Sequence, residues 1–186
     1  SEARLCLGGD DGAIVEVALP VGVIIARLEL GPGPRAIRYS PDGKRIAWIG
    51  APGSTRAIQI VDTERHRVVA RPFHRDAVLD ADWSPDGKIL ATACGDYRAY
   101  LWDAGTFERI GTLEGHTAEV IRVAFSHDGV YLASASWDGR TILWQPDGGR
   151  ELASAYGTFT RFRRRDGALG YRIADHKVGV WRIAGG

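Results

Sequence analysis

The sequence has no methionine and only two cysteines, Cys6 and Cys94, among its 186 residues. Two thiols are too few for a disulfide framework and fit a reducing compartment, so a cytoplasmic location is the expectation. Lacking methionine, the chain does not begin at an initiator as it stands. A processed chain, or a piece of a longer one, is expected. No apolar run approaches the ~18 residues that a membrane span needs. The longest candidate, residues 18–26, contains Pro20 and Gly22 and is followed by Arg27. No membrane association is expected, and Ser1-Glu2-Ala3-Arg4 does not resemble a signal peptide. An excess of one charge is missing too. With 24 basic and 23 acidic residues the formal net charge is +1, and proteins that bind polyanions usually carry a large basic excess, so nucleic acid is not expected as a partner. No His-x-x-x-His, Cys-x-x-Cys or Gly-x-x-x-x-Gly-Lys pattern occurs, so neither a metal nor another cofactor is expected.

What the sequence does have is a repeat. Ser40-Pro41-Asp42-Gly43, Ser84-Pro85-Asp86-Gly87 and Ser126-His127-Asp128-Gly129 start 44 and 42 residues apart. Each follows an aromatic residue (Tyr39, Trp83, Phe125) and precedes a short apolar run. A second marker, Tyr100-Leu101-Trp102-Asp103, returns as Ile142-Leu143-Trp144-Gln145, and Val178-Gly179-Val180-Trp181 repeats it more weakly. Short segments rich in Val, Ile, Tyr and Trp, separated by Gly, Pro, Asp and Ser, are the grammar of strands and turns. No window sustains a 3.6-residue period over a helical length. Four strands per repeat are expected, at about 35–39, 45–49, 57–61 and 68–71, then 78–83, 89–93, 99–102 and 109–113, then 120–125, 131–135, 141–144 and 151–155. The first repeat starts late, near residues 4–7, and the fifth ends early, at Trp181.

Gly115-His116 opens the fourth repeat, Trp144 closes its third strand, and Asp138 lies between them. This resembles a WD40 repeat. The third repeat matches it with His74, Asp96 and Trp102-Asp103; His to Asp spans 22 residues and Asp to Trp 6 in both. The resemblance implies an all-β fold, a β-propeller of four-stranded antiparallel blades. Residues 1–186 would form one segment, with blades at about 1–30 (partial), 31–73, 74–115, 116–156 and 157–186 (partial). The family's usual seven-bladed ring needs about 300 residues at ~40–45 per repeat. The ring here is therefore expected to be incomplete, its missing blades supplied by the rest of the polypeptide or by a second chain.

The same resemblance implies a buried hydrogen-bonded tetrad in each blade, running from Trp through a hydroxyl and His to Asp. In the fourth blade these would be Trp144, Ser136, His116 and Asp138. In the third they would be Trp102, Cys94, His74 and Asp96, and a thiol in the hydroxyl's place should weaken the chain because it is a poor donor and acceptor. The second blade has Leu30 at the His position. Cys94, His74 and Asp96 can also be read as nucleophile, base and orienting acid. Each fills a tetrad position, however, and the fourth blade repeats the pattern with Ser, so no catalysis is expected.

Propellers of this family usually engage partners on the face built from the loops before strand a and the turns between strands b and c. The resemblance places Arg35, Leu79, Ile121, Glu119, Tyr156 and Trp137 at partner-binding positions there, with Leu79, Ile121, Trp137 and Tyr156 forming an apolar and aromatic patch. Tryptophan, tyrosine and arginine dominate binding energy at interfaces. One basic run, Arg161-Phe162-Arg163-Arg164-Arg165, gives residues 152–186 a net charge of +5 and leaves residues 1–151 at −4. A solvated loop is the simpler reading, anion contact the alternative. The expected function is a non-catalytic scaffold presenting loops to a protein or peptide. The alternative is a regulatory or sensor module of a larger multidomain signalling enzyme whose catalytic domain lies outside this chain.

Overall fold

The computed structural model describes residues 4–8, 13–18, 21, 23–30, 34–50, 58–163, 168–172 and 178–181. Its strands form five separate antiparallel sheets. The first holds β1 (Arg4–Gly8), β2 (Ala13–Ala18) and β3 (Val23–Glu29). The second holds β4 (Pro34–Tyr39), β5 (Arg45–Gly50), β6 (Ile58–Asp62) and β7 (Arg67–Ala70). The third holds β8 (Val78–Trp83), β9 (Ile89–Cys94), β10 (Ala99–Asp103) and β11 (Arg109–Leu113). The fourth holds β12 (Val120–Phe125), β13 (Leu132–Ser136), β14 (Arg140–Gln145) and β15 (Arg150–Tyr156). The fifth holds β16 (Thr158–Phe162), β17 (Leu169–Arg172) and β18 (Val178–Trp181). Each sheet is a meander in chain order, so each is a propeller blade. Among the described residues the first and last blades do not pair with one another, and the ring is open.

The Ser-x-Asp-Gly turns are built alike. The Ser40 hydroxyl donates to Asp42 Oδ1 at 2.6 Å and accepts from Arg45 N at 3.0 Å, while Asp42 Oδ1 also accepts from Lys44 N. Gly43 sits at φ +70°, a left-handed conformation that a glycine adopts without steric cost. Ser84 with Asp86, and Ser126 with Asp128, repeat the arrangement. The serine hydroxyl is the main reason that Asp42, Asp86 and Asp128 stay below the ordinary carboxylate range.

The core lies between blades. Successive residues of a strand face opposite sides of its sheet, and both sides of these blades are covered. Leu90 and Cys94 pack with Ala47, Ile49 and Ile60 of the second blade, whereas Ala91 and Ala93 of the same strand pack with Val123, Phe125 and Trp144 of the fourth. Small residues on one face make room for large ones from the next blade: Ala133 and Ala135 meet Phe159. This is why the strands read as near-continuous apolar runs with an alanine at alternate positions.

The strands β4, β8, β12 and β16 each form one edge of their sheets and pack against one another. An edge strand carries N–H groups without a ladder partner. Here the neighbouring blade satisfies some of them with side chains. Val123 N donates to Asp80 Oδ2 at 3.3 Å and Phe125 N to Asp82 Oδ2 at 2.8 Å. Arg38 Nη2 donates to the other Asp80 oxygen at 2.8 Å, and Trp83 Nε1 to the Arg38 carbonyl at 3.1 Å. Burial raises Asp80 and pushes Asp82 up to about 6, against the bond from Phe125 N.

Candidate functional site

In the fourth blade Trp144 Nε1 donates to a serine hydroxyl at 2.8 Å, and His116 Nε2 lies 2.8 Å from the same oxygen. That serine is Ser134. His116 Nδ1 lies 2.8 Å from Asp138 Oδ2, which also accepts from Thr117 N at 3.0 Å. Ionised carboxylate oxygens only accept, so Nδ1 carries the proton and the Ser134 hydroxyl donates to Nε2. Burial alone would raise Asp138, but the N–H groups of Thr117 and Arg140 and the His116 ring outweigh it and hold the carboxyl low. The expected hydroxyl, Ser136, is not in the relay. It donates to the Ala118 carbonyl at 3.0 Å and accepts from Asp138 N at 3.1 Å. The reason is register. Trp144 faces Leu132 across the ladder, so its indole reaches the diagonal neighbour Ser134. Ser136 is two residues, about 7 Å, further along the strand.

The third blade needs the same correction. Trp102 faces Leu90, and its Nε1 donates to Thr92 Oγ1 at 3.0 Å, with His74 Nε2 2.7 Å from that oxygen. Cys94 lies two residues beyond, its thiol 3.5 Å from the Asp76 carbonyl. The chain is therefore not weakened by a thiol; it carries a full hydroxyl in Thr92. It departs from the fourth blade at its far end. His74 Nδ1 donates to the Pro72 carbonyl at 3.0 Å instead of to Asp96, and Asp96 Oδ2 accepts from the Tyr100 hydroxyl at 2.5 Å. Burial lowers His74 to about 4, so the ring is neutral. Burial also pushes the Cys94 thiol up to about 12. With the thiol held as S–H and both ring nitrogens of His74 bonded elsewhere, Cys94 and His74 do not form a nucleophile and base.

The second blade solves the same space without a tetrad. Leu30, Trp48 and Val61 occupy the places of His, hydroxyl and Trp, as the common 18-residue spacing of Leu30–Trp48, His74–Thr92 and His116–Ser134 shows. Val61 faces Ile46, the partner position of Trp102 and Trp144. The large ring has moved from the third strand to the second. Leu30, Ile46, Trp48 and Val61 form one buried apolar cluster, in which Trp48 Nε1 has no hydrogen-bond partner among the described residues.

The predicted partner-binding residues fall on one end of the blades. Trp137, in the β13–β14 turn, is 71% exposed, and Tyr156, at the end of β15, is 76% exposed. Trp137 N donates to the Glu119 carbonyl at 3.0 Å, and Gly157 N to the Gly139 carbonyl at 2.7 Å. The turn, the loop before β12 and the end of β15 are thus tied together. Glu119 and Arg35 are exposed, and Arg35 Nε donates to the Leu79 carbonyl at 3.0 Å. Leu79 and Ile121 are only half-buried, so neither is wholly taken up by a blade core. Sequence reasoning missed Tyr97. It is 51% exposed in the β9–β10 turn at φ +73°, where the fourth blade has Gly139 at φ +79°. A non-glycine residue held there costs about 1–3 kcal/mol. Aligning the turns Gly95-Asp96-Tyr97 and Trp137-Asp138-Gly139 is the signal that could have found it.

On the opposite end, the turns after β4, β8 and β10 enclose a cleft of about 410 Å³ lined by Asp42, Lys44, Arg45, Lys88 and Asp103, with charges of both signs. Arg45 is held there by the Ala104 carbonyl and the Phe107 ring. Among the described residues no group of His, Cys, Asp and Glu is arranged to hold a metal ion. Nor is any helix among them long and apolar enough to cross a membrane. In the basic run, Arg164 and Arg165 and the side chain of Arg161 lie outside the described residues; Arg163 is exposed.

Known proteins match on these same blades. The family described as "WD domain, G-beta repeat" matches residues 67–103 and 107–145. The chain is 30% identical over 108 residues to actin-interacting protein 1 of Drosophila melanogaster, covering 58% of this chain and 18% of that protein. It is 43% identical over 51 residues to the denticleless protein homolog of Danio rerio, covering 27% of this chain and 8% of that one. It is 34% identical over 80 residues to WD repeat-containing protein 1 of Gallus gallus, 41% of this chain and 13% of that one. The chain therefore spans less than a fifth of the length of these relatives. A chain in the crystal structure of a mitotic checkpoint complex superposes with a TM-score of 0.82 at 16% identity, over 97% of this chain and 59% of that one. Residues 67–103 and 107–145 are WD40 repeats, and the fold around them is a β-propeller of antiparallel blades.

Proposed function

We propose that the chain is a non-catalytic scaffold whose end face at the third to fifth blades docks a protein or peptide partner. The observation that carries this is the pair Trp137 and Tyr156, both more than 70% exposed on a turn and a strand end fixed by backbone hydrogen bonds. Large aromatic rings held rigidly in water lose little conformational freedom on binding and bury much apolar area. Loops on a stiff sheet scaffold are where such recognition is usually placed. One relative is named for its interaction with actin, another for its WD repeats, and the structural neighbour comes from a complex, which supports a binding role for this chain. Within this reading, the missing blades come from polypeptide outside this sequence or from a second chain. The compartment is reducing, in keeping with the buried free thiol of Cys94.

The test is partner capture. Trp137→Ala is expected to weaken binding about tenfold or more, as removal of an interface tryptophan does, with an unchanged melting temperature. Wild-type capture by that variant would overturn the reading.

A further inference from the structure

The proposed docking face differs between its two halves, and the difference bears on what binds it. The fourth blade presents Trp137 and Ala118. The third presents Gly95 and Asp76 at the same places, and the Asp76 carboxyl lies against Gly95, its Cγ 3.3 Å from where a Cβ would stand. Asp76 is exposed, one of its oxygens taken by Ala77 N at 2.7 Å. Glu119 is exposed at the equivalent end of β12. In the β9–β10 turn Asp96 Oδ1 has no hydrogen-bond partner among the described residues.

Among the described residues the cations nearby are already engaged, Arg75 excepted. Arg98 donates to Glu114 at 2.8 Å and to the Asp96 carbonyl at 3.3 Å. Arg140 donates to the Gly115 carbonyl at 3.3 Å and to Ser154 Oγ at 2.7 Å. Arg35 is held by the Leu79 carbonyl; Arg75 is the exposed cation that remains. The aromatic rings show the converse. Elsewhere the chain covers its own rings with arginine: Arg45 over Phe107 at 5.0 Å, Arg109 over Tyr100 at 5.5 Å and Arg122 over Phe159 at 5.3 Å. Among the described residues no arginine or lysine stands over Trp137, Tyr156 or Tyr97.

Resting on the docking reading above, we propose that this face takes a basic segment of a protein partner, its arginine or lysine side chains lying over the exposed rings of Trp137, Tyr156 and Tyr97 and meeting the carboxylates of Glu119 and Asp76. A cation over an aromatic face within about 6 Å is attracted by the ring quadrupole, most strongly to tryptophan. The carboxylates add Coulomb attraction and steer the approach, so the association weakens as salt rises. A phosphorylated or acidic segment meets the wrong charge here. Tyr97 fits the scheme as well: its left-handed backbone carries a cost that the glycine of the fourth blade avoids, in exchange for a ring at the face.

The probes are two fluorescein-labelled decapeptides, alternating Arg-Gly and alternating Glu-Gly, titrated against the protein and followed by anisotropy at low and high salt. The wild type is expected to bind the Arg-Gly peptide at least tenfold more tightly than the Glu-Gly peptide. Salt should weaken this, Trp137→Ala should weaken it about tenfold, and Glu119→Arg with Asp76→Arg should reverse the preference. Tyr97→Gly is expected to raise the melting temperature and still weaken binding, which separates recognition from unfolding. Asp147→Lys, in the exposed β14–β15 turn at the opposite end, should change nothing. No binding of the Arg-Gly peptide by the wild type, equal binding of the two peptides, or indifference to the charge reversal would overturn the proposal. Partner capture lost in Trp137→Ala but not competed by the Arg-Gly peptide overturns the basic class and leaves the docking reading standing. Capture indifferent to Trp137→Ala overturns both.

Discussion

Thr92 and Cys94 are two residues apart on one face of one strand, yet only Thr92 closes a relay. Thr92→Val keeps the shape and removes the hydroxyl, leaving His74 Nε2 and Trp102 Nε1 buried without a partner. Each such loss costs about 1–3 kcal/mol. Cys94→Ser places at that position what the fourth blade already has in Ser136, whose bond to the Ala118 carbonyl parallels the thiol's contact with the Asp76 carbonyl. Urea unfolding is expected to show a large drop in midpoint for Thr92→Val and little change for Cys94→Ser, at constant slope. His74, His116, Asp138, Trp102 and Trp144 were legible as members of a hydrogen-bonded set through the WD40 resemblance that their recurring spacing carries. The hydroxyl was not, because Ser134 and Ser136 share a face and only the ladder register tells which one the indole reaches.

At the scale of the element, most of the fold was readable in advance. Strand ends differ by about one residue from expectation; β13 runs Leu132–Ser136 where 131–135 was expected. The turns announced themselves through Ser-x-Asp-Gly, since side-chain chemistry and the glycine conformation are both local. The second blade was less readable, because Leu30, Trp48 and Val61 match no family position by identity and are related to the tetrad only through volume. A prediction follows from that exchange. Trp48→Ala empties a buried site and is expected to cost about 3–5 kcal/mol. Trp48→Phe keeps most of the ring and removes the N–H that has no partner, so it is expected to cost under about 1.5 kcal/mol. Thermal melts of the two variants check this, and equal losses would mean that the indole nitrogen is bonded after all.

Over the whole molecule, charges set between blades decide how stability follows pH. Asp82 sits at about 6 when folded against about 3.9 unfolded. Between those values the folded state holds more protons, so this group makes stability fall as pH rises from about 4 to 6. His74 at about 4 works the other way. There the unfolded state holds more protons, and stability falls as pH drops from about 6.5 to 4. The two slopes oppose each other in the wild type. Asp82→Asn keeps an acceptor for Phe125 N and removes the buried charge. It is expected to raise stability at pH 7 by on the order of 1–2 kcal/mol, with allowance for partial exposure. It should also unmask the acid sensitivity of His74, both read from urea midpoints across pH 4–7. None of this was legible in the sequence, because Asp80 and Asp82 act on residues some 43 positions away, where no local pattern reaches.

Those cross-blade carboxylates also belong to the seams of the propeller. Repeat architectures hold together largely through nearest-neighbour contacts. The seam between the third and fourth blades is bridged by Asp80 and Asp82 on two backbone N–H groups, that between the second and third by Arg38 on Asp80, Trp83 on the Arg38 carbonyl, Arg35 on the Leu79 carbonyl and Arg45 on the Ala104 carbonyl, and that between the fourth and fifth by Phe159 N on Thr141 Oγ1 and Arg122 on the Phe159 carbonyl. The aromatic and acidic face straddles the seam between the third and fourth blades, so a partner seated there would clasp the two blades together from outside and resist their separation.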